Sequence, residues 1–309
     1  PAKKESGLLC LGYRKENEML EIAIMIEGQN GLTWPIWQRI ARLVEDAGFA
    51  GLFRSDHFTN SNLSIKDSLE LWTSLTWLAS HTSRIEFGPL VTPFSFRHPV
   101  HTARMASAVD DLSGGRLVLG LGAGWNESEH ELYGFDLLDT EARFERCREG
   151  MEVVTRLLQS DTPLTLEGQY YRLHGAILLP RPQRPGGPRI LIGGNGMKRT
   201  LPLVVRYANE WNCVSLTPEE IARTNRRLDE MLIQAGREPS SVRRSMMTGC
   251  VFGKDDTVLG KKLSLYGGTI DELQKRGNVA GSLSEIKEQL KNLEQAGIQR
   301  IMLQWQDLA

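Results

Sequence analysis

Apolar residues in this chain come in two rhythms. Some stand in short unbroken runs, such as Ile22-Ala23-Ile24-Met25-Ile26 and Ile190-Leu191-Ile192. Others recur at every third or fourth place, as at Leu69, Trp72, Leu75 and Leu78. Unbroken runs predict strands covered on both faces, and spaced ones predict helices that bury one face. Read this way, strands are predicted over 21–26, 50–53, 84–91, 117–121, 189–192, 211–214, 243–251 and 300–304. Helices are predicted between them over 34–47, 66–80, 100–112, 141–159, 198–208, 219–235 and 285–296. Shorter helical stretches lie at 257–266 and 270–275. Thr33 before Pro35 and Thr217 before Pro218 are helix starts, and Gly48 is a stop.

Strands alternating with helices imply a parallel sheet clad in helices. Eight such units predict an α/β fold, a closed (β/α)8 barrel, with an open doubly wound sheet as the runner-up. Two insertions interrupt the alternation. The stretch 125–140, after the fourth strand, reads as a long irregular loop, and long loops in compact domains are usually functional. The polar, glycine-containing stretch 253–280 follows the seventh strand. A hairpin turning at Glu167-Gly168 is predicted over 164–173, and no helix is evident after the eighth strand. Residues 1–18 read as a loosely ordered extension ahead of one barrel domain over 19–309.

Composition narrows the partners. The 309 residues are 40% apolar and 24% charged with a net charge of −1, which disfavours nucleic acid or an anionic membrane surface as partner. No apolar run is long enough to span a bilayer. Cys10, Cys147, Cys213 and Cys250 are dispersed, which disfavours a disulfide framework and fits a reducing cytoplasm. His98 and His101 have metal-ligand spacing, but nothing completes the set, so no metal is expected.

The chemistry of a barrel sits beyond the C-terminal ends of its strands. Polar and glycine residues gather there: Gln29 after the first strand, Asp56 and His57 after the second, and Thr92 and Phe94 after the third. Gly122, Ala123, Gly124, Trp125 and Asn126 follow the fourth. The fifth strand runs into Gly193, Gly194, Asn195 and Gly196, with Lys198 and Arg199 just beyond. Glycines that turn backbone N–H groups outward, a helix start and two cations form a phosphate cradle. His57 is the acid–base candidate, since an imidazole titrates near neutrality, and Asp56 beside it can accept a hydrogen bond or balance its charge. Gly120-Leu-Gly-Ala-Gly124-Trp125 has part of the dinucleotide fingerprint but Trp125 in place of its third glycine, and no helix is evident directly after it, so that reading is rejected. Its glycines suit close approach of a flat ring or sugar-phosphate chain, and Trp125 suits either stacking or core filling. No nucleophile elbow or Walker loop occurs, as expected where a cofactor does the hard chemistry.

These pieces together resemble a known family. Leu43-Val-Glu-Asp-Ala-Gly-Phe49, Ser55-Asp-His-Phe58, Arg84-Ile-Glu-Phe-Gly-Pro-Leu-Val-Thr-Pro93, Asp111-Leu-Ser-Gly-Gly-Arg-Leu117, Gly120–Trp125, Ile192–Gly196 and Arg206-Tyr-Ala-Asn-Glu-Trp-Asn212 occur in order. Over 21–305 the chain resembles the bacterial luciferase-like superfamily, most closely its coenzyme F420 (5-deazaflavin) oxidoreductases. The resemblance implies catalytic His57 and Asp56, and cofactor contacts from Pro89, Leu90, Thr92, Gly122–Asn126 and Gly193–Gly196. It implies a substrate pocket at Gln29 and Phe94, a non-proline cis peptide near Pro89-Leu90, and a homodimer. It implies hydride transfer between F420 and a small organic substrate. The alternative is an FMN-dependent two-component monooxygenase served by a flavin reductase. Sugar-phosphate dehydrogenases of the family carry an acidic residue where this chain has Trp125, which argues against glucose-6-phosphate-type chemistry.

Overall fold

The computed structural model describes residues 19–308 apart from 63 and 307, so the extension expected over 1–18 lies outside the described residues. In chain order the elements are β1 Glu21–Ile26, α1 Trp34–Asp46, β2 Gly51–Arg54, α2 Leu71–His81, β3 Glu86–Pro89, β4 Thr92–Pro93, α3 Pro99–Leu112 and β5 Val118–Gly122. Next come α4 Glu127–Tyr133, α5 Thr140–Gln159, β6 Leu164–Glu167, β7 Arg172–Ala176, β8 Arg189–Gly193, α6 Thr200–Tyr207, β9 Glu210–Val214 and α7 Pro218–Gln234. The chain continues through β10 Arg243–Phe252, α8 Asp256–Tyr266, α9 Ile270–Lys275, β11 Val279–Gly281, α10 Leu283–Gln295 and β12 Arg300–Trp305.

Parallel pairing runs β3-β2-β1-β12-β10-β9-β8-β5-β4. A bridge from Phe87 of β3 to Leu117 beside β5 brings the sheet back on itself. The result is the predicted barrel with eight staves, the third broken into β3 and β4. Its interior is packed by Ala23, Met25, Phe53, Leu90, Val118, Leu191 and Met302, and a larger core fills the space between staves and helices. The predicted hairpin is β6–β7, paired antiparallel. The insertion after β10 holds α8, α9 and β11, with its own core of Val251, Leu259, Leu273 and Ala280.

Three helices depart from expectation. α2 begins at Leu71, because the Glu70 carboxylate caps the Thr73 N–H at 2.6 Å. α6 begins at Thr200, just beyond the predicted cations. The stretch read as irregular contains α4, capped by Asn126, whose side chain accepts from the Glu129 N–H at 3.4 Å. Among the described residues no helix follows β12. Leu308 is buried there, and its carbonyl accepts from Arg39 Nη2 at 2.9 Å.

The N-terminal ends of the staves are closed by charge. Arg300, at the start of β12, lies buried among Glu21, Glu86 and Glu210, with Arg300 Nη1 3.2 Å from Glu210 Oε2 and Nε 2.8 Å from Glu21 Oε2. Arg189 reaches Glu86 at 3.0 Å, and Arg243 reaches Glu21 at 3.3 Å. Burial works against the Arg300 charge, but the three carboxylates outweigh it and raise its pKa.

Candidate active site

The break in the third stave shapes the opposite end. The peptide between Leu90 and Val91 is cis, one bond along from the expected Pro89-Leu90. The break turns Leu90 and Val91 toward the barrel mouth, and neighbouring staves make room for it. A Cβ at Gly120 would collide with the Pro89 carbonyl, and one at Gly122 with the Val91 side chain. A Cβ at Gly193 would sit 3.2 Å from Val91 Cγ1. Gly120 and Gly122 were expected to admit a ligand; instead Gly120 admits the Pro89 backbone and Gly122 the Val91 side chain. Gly124, with φ of +85°, is the member of that run that reaches the mouth.

A cleft of about 330 Å³ opens there, lined by Met25, Leu90, Val91, Phe96, Trp125 and Met247 and by the polar Glu27, Asp56, His57 and Asn212. Gly193 and Gly194 form part of its wall. Next to it lies a polar basin of about 460 Å³ that shares Glu27, His57 and Trp125 and includes Gln29 and Asn126.

His57 is held by a residue far away in sequence. Its Nδ1 lies 2.8 Å from Glu129 Oε2, and Glu129 also accepts from the Phe58 and Thr59 N–H groups. The His57 side chain keeps one-fifth of its surface exposed, whereas Glu129 is fully buried. Nε2 of His57 has no partner among the described residues. Burial alone would pull the imidazole pKa down, but the hydrogen bond and charge of Glu129, with Glu27 and Asp56 behind them, leave it above the ordinary histidine value. Burial pushes Glu129 upward, yet its bond to His57, the His57 charge and the two N–H donors bring it below the ordinary carboxylate range. Both shifts favour the ion pair.

The expected pairing of Asp56 with His57 does not form. Asp56 takes Arg97 in a two-pronged ion pair and accepts from the Thr92 hydroxyl at 2.6 Å. Arg97 in turn reaches Glu70 at 3.1 Å. Burial works against the Arg97 charge and Asp56 more than restores it, so the guanidinium pKa is raised. Asp56 is thus a committed anchor at the cleft wall, and Thr92 is spent on holding it.

Other expected residues divide. Phe94 does not line the cleft: it is buried in the outer core against Gly150, and Phe96 takes the place expected of it. Pro89 and Ala123 lie outside the cleft lining as well. Trp125 is 61% exposed, which rules out core filling, and its ring stands edge-on to His57 at 5.4 Å. Gln29 is buried and accepts from the Ser55 hydroxyl at 2.8 Å. α4 is pinned by aromatic contacts of Phe58 with Phe96, Tyr133 and Phe135 at 4.9, 5.1 and 5.7 Å.

At the glycine turn, Asn195 bonds the Val214 backbone in both directions, at 2.8 and 2.9 Å. The backbone N–H groups from Asn195 to Arg199 have no acceptor among the described residues. Gly194, with φ of +124°, holds a conformation that side chains rarely adopt. Consecutive free N–H groups beside Lys198 and Arg199 suit an anion. Among the described residues no group of metal ligands occurs, and no helix is long and apolar enough to cross a membrane.

A family model described as luciferase-like monooxygenase matches residues 27–300. The chain belongs to this family. It is 32% identical over 194 residues to the phthiodiolone/phenolphthiodiolone dimycocerosates ketoreductase of Mycobacterium tuberculosis, covering 62% of this chain and 50% of that one. It is 29% identical over 201 residues to the 4-hydroxyprotoasukamycin monooxygenase of Streptomyces nodosus subsp. asukaensis, covering 64% of this chain and 52% of the relative. The chain thus spans about half the length of these luciferase-like relatives. A solved F420-dependent secondary alcohol dehydrogenase, in complex with an F420-acetone adduct, has the same fold, with a TM-score of 0.80 at 19% identity over 92% of this chain and 93% of that one.

Proposed function

We propose that this chain is an oxidoreductase that passes a hydride between coenzyme F420 and a small carbonyl compound or alcohol in the barrel mouth. The observation that carries the reading is the His57–Glu129 dyad, with one imidazole nitrogen fixed and the other unpartnered at the cleft. Ketone reduction needs a proton delivered to oxygen as a hydride reaches carbon, and the named activity of the Mycobacterium tuberculosis relative is such a reduction.

The residues present fit the cofactor. Leu90 and Val91 offer an apolar ledge for a flat ring, and the unpartnered N–H groups from Asn195 to Arg199 suit its phosphate. When bound, the deazaflavin supplies or accepts the hydride. The protein's part is acid–base work and exclusion of water. Protonated His57 gives a proton from Nε2 to the substrate oxygen, and Glu129 balances the imidazolium. In the reverse direction neutral His57 takes that proton. The Trp125 ring, edge-on to the imidazole, helps to hold it in place.

Titration of the protein with F420 and with FMN, each oxidised and reduced, and followed by fluorescence tests the reading. Tight binding of F420, weakened at least tenfold in K198A/R199A, is the expected result. Preference for reduced FMN overturns it and turns attention to oxygen-dependent monooxygenation, the class of activity in the Streptomyces relative's name, with a partner flavin reductase.

A further inference from the structure

The basin beside His57 does not end at the barrel rim. Its lining residues Asn30, Lys66 and Gln306 also line a third cavity of about 490 Å³. That cavity is completed by Cys250 and Trp305 at the ends of β10 and β12, and by Lys262, Leu265 and Tyr266 of α8. One continuous groove therefore runs from the cleft to the insertion after β10.

Its chemistry changes along its length. The inner cleft sets the apolar Met25, Leu90, Val91 and Met247 against the polar Glu27, Asp56, His57 and Asn212. The basin is lined by carboxamides, among them Asn60, Asn62 and Gln304, and each carboxamide offers both donor and acceptor. The far cavity has two ammonium groups and, among its described residues, no carboxylate. Lys66 and Lys262 make no ion pair among the described residues. The Lys262 ammonium instead stands 4.8 Å from the Trp305 ring centroid, a contact that holds it in the cavity without cancelling its charge.

We propose that the substrate carries an anionic group, joined to its reacting carbon by a hydrogen-bonding spacer, and that Lys66 and Lys262 bind that anion. The cofactor phosphate is not the anion in question. The turn from Asn195 to Arg199 follows β8, the fifth stave, which stands across the ring from β1, whereas Asn30 and Lys66 follow the first and second staves. The inference rests on the hydride-transfer reading for the reacting end of the substrate, and on the groove alone for the other.

The test uses the full chain with reduced F420 and a series of methyl-ketone carboxylates of increasing length, each beside its neutral N-methylamide. At one chain length the acid should exceed its amide about tenfold in kcat/KM, the size expected of two partly exposed ion pairs. K66A/K262A should abolish that preference while leaving the amide's kcat/KM and the F420 affinity unchanged. An unchanged preference in the variant overturns the proposal, and so does a wild-type protein that treats acid and amide alike. A loss of F420 affinity in the variant also overturns it and assigns the lysines to the cofactor. If no ketone is reduced, calorimetric titration with unreactive straight-chain carboxylates separates the two readings. Binding that needs both lysines supports the anion site while the hydride-transfer reading fails; no binding overturns the site.

Discussion

The two ends of the barrel hold the same kinds of charged side chains and use them in opposite ways. At the N-terminal end, Glu21, Glu86 and Glu210 are matched by Arg189, Arg243 and Arg300. At the C-terminal end, Asp56 and Glu129 are each spent on one cationic partner, Arg97 and His57, and the histidine keeps a nitrogen with no hydrogen bond among the described residues. One end is neutralised and closed. Among the described residues, the other keeps Lys66 and Lys262 without an ion pair and the His57 Nε2 without a hydrogen bond, all of them at its cavities. The division places stability and chemistry on separate faces of a single sheet.

The comparison breaks most easily at the bottom. Arg300→Met takes the buried cation from Glu210, while Glu86 and Glu21 keep Arg189 and Arg243, and should cost about 3–5 kcal/mol of unfolding free energy. Urea titration measures that cost, and F420 affinity at low temperature should hold within twofold. A cost below about 1 kcal/mol would mean that this network is not what closes the end. At the top the pattern should reverse. His57→Ala should lower kcat about 100-fold and should cost less stability than Arg300→Met, because the Glu129 carboxylate it leaves behind keeps the Phe58 and Thr59 N–H groups. A folded, fully active H57A would remove the proton role assigned to it. Gly120→Ala tests the joint between the two ends, since its methyl group meets the Pro89 carbonyl. A loss of about 1–3 kcal/mol is expected, together with weaker cofactor binding.

The smallest effect is one of pH. The folded-state pKa of His57 is raised, so its contribution to stability is complete below the unfolded imidazole value of about 6.5 and fades as pH rises through the folded value. The proton-donating form persists over the same range. The alkaline limb of kcat for reduction should therefore lie above pH ~6.5 in the wild type. Glu129→Gln should move it down. A limb that stays in place would separate Glu129 from the proton and leave it a purely structural role.

The staves were legible in the sequence because apolar runs leave a strong local mark. The site was legible only where its parts are local. His57 and the glycine turn follow strands directly, so their place at the mouth could be read off. Their partners could not be. Asp56 and His57 are adjacent in sequence, yet one meets Arg97 and the other Glu129, on separate elements. α4 escaped notice because it has little apolar periodicity, and its Leu132 and Tyr133 are exposed at 51% and 47%. Its signal was polar: an asparagine followed three places later by a glutamate, the spacing of a helix start. That signal could have found the residue that tunes the histidine. Phe94 and Phe96 are a similar case: two places apart, they would share a face of a strand, but the chain turns there, with the Phe96 N–H on the Pro93 carbonyl, and sends one ring to the core and the other to the cleft.

The broken third stave also bears on how this protein could be re-engineered. Pro89 and Val91 fill space that Gly120, Gly122 and Gly193 leave open, so those five positions form one mould and its casting. Changing one alone meets a collision, and single substitutions there should combine non-additively. Libraries aimed at new substrates gain nothing from sampling them one at a time. The rim residues on the loop before α2 and on α8 carry no such interlock, and diversity introduced there leaves the mould intact.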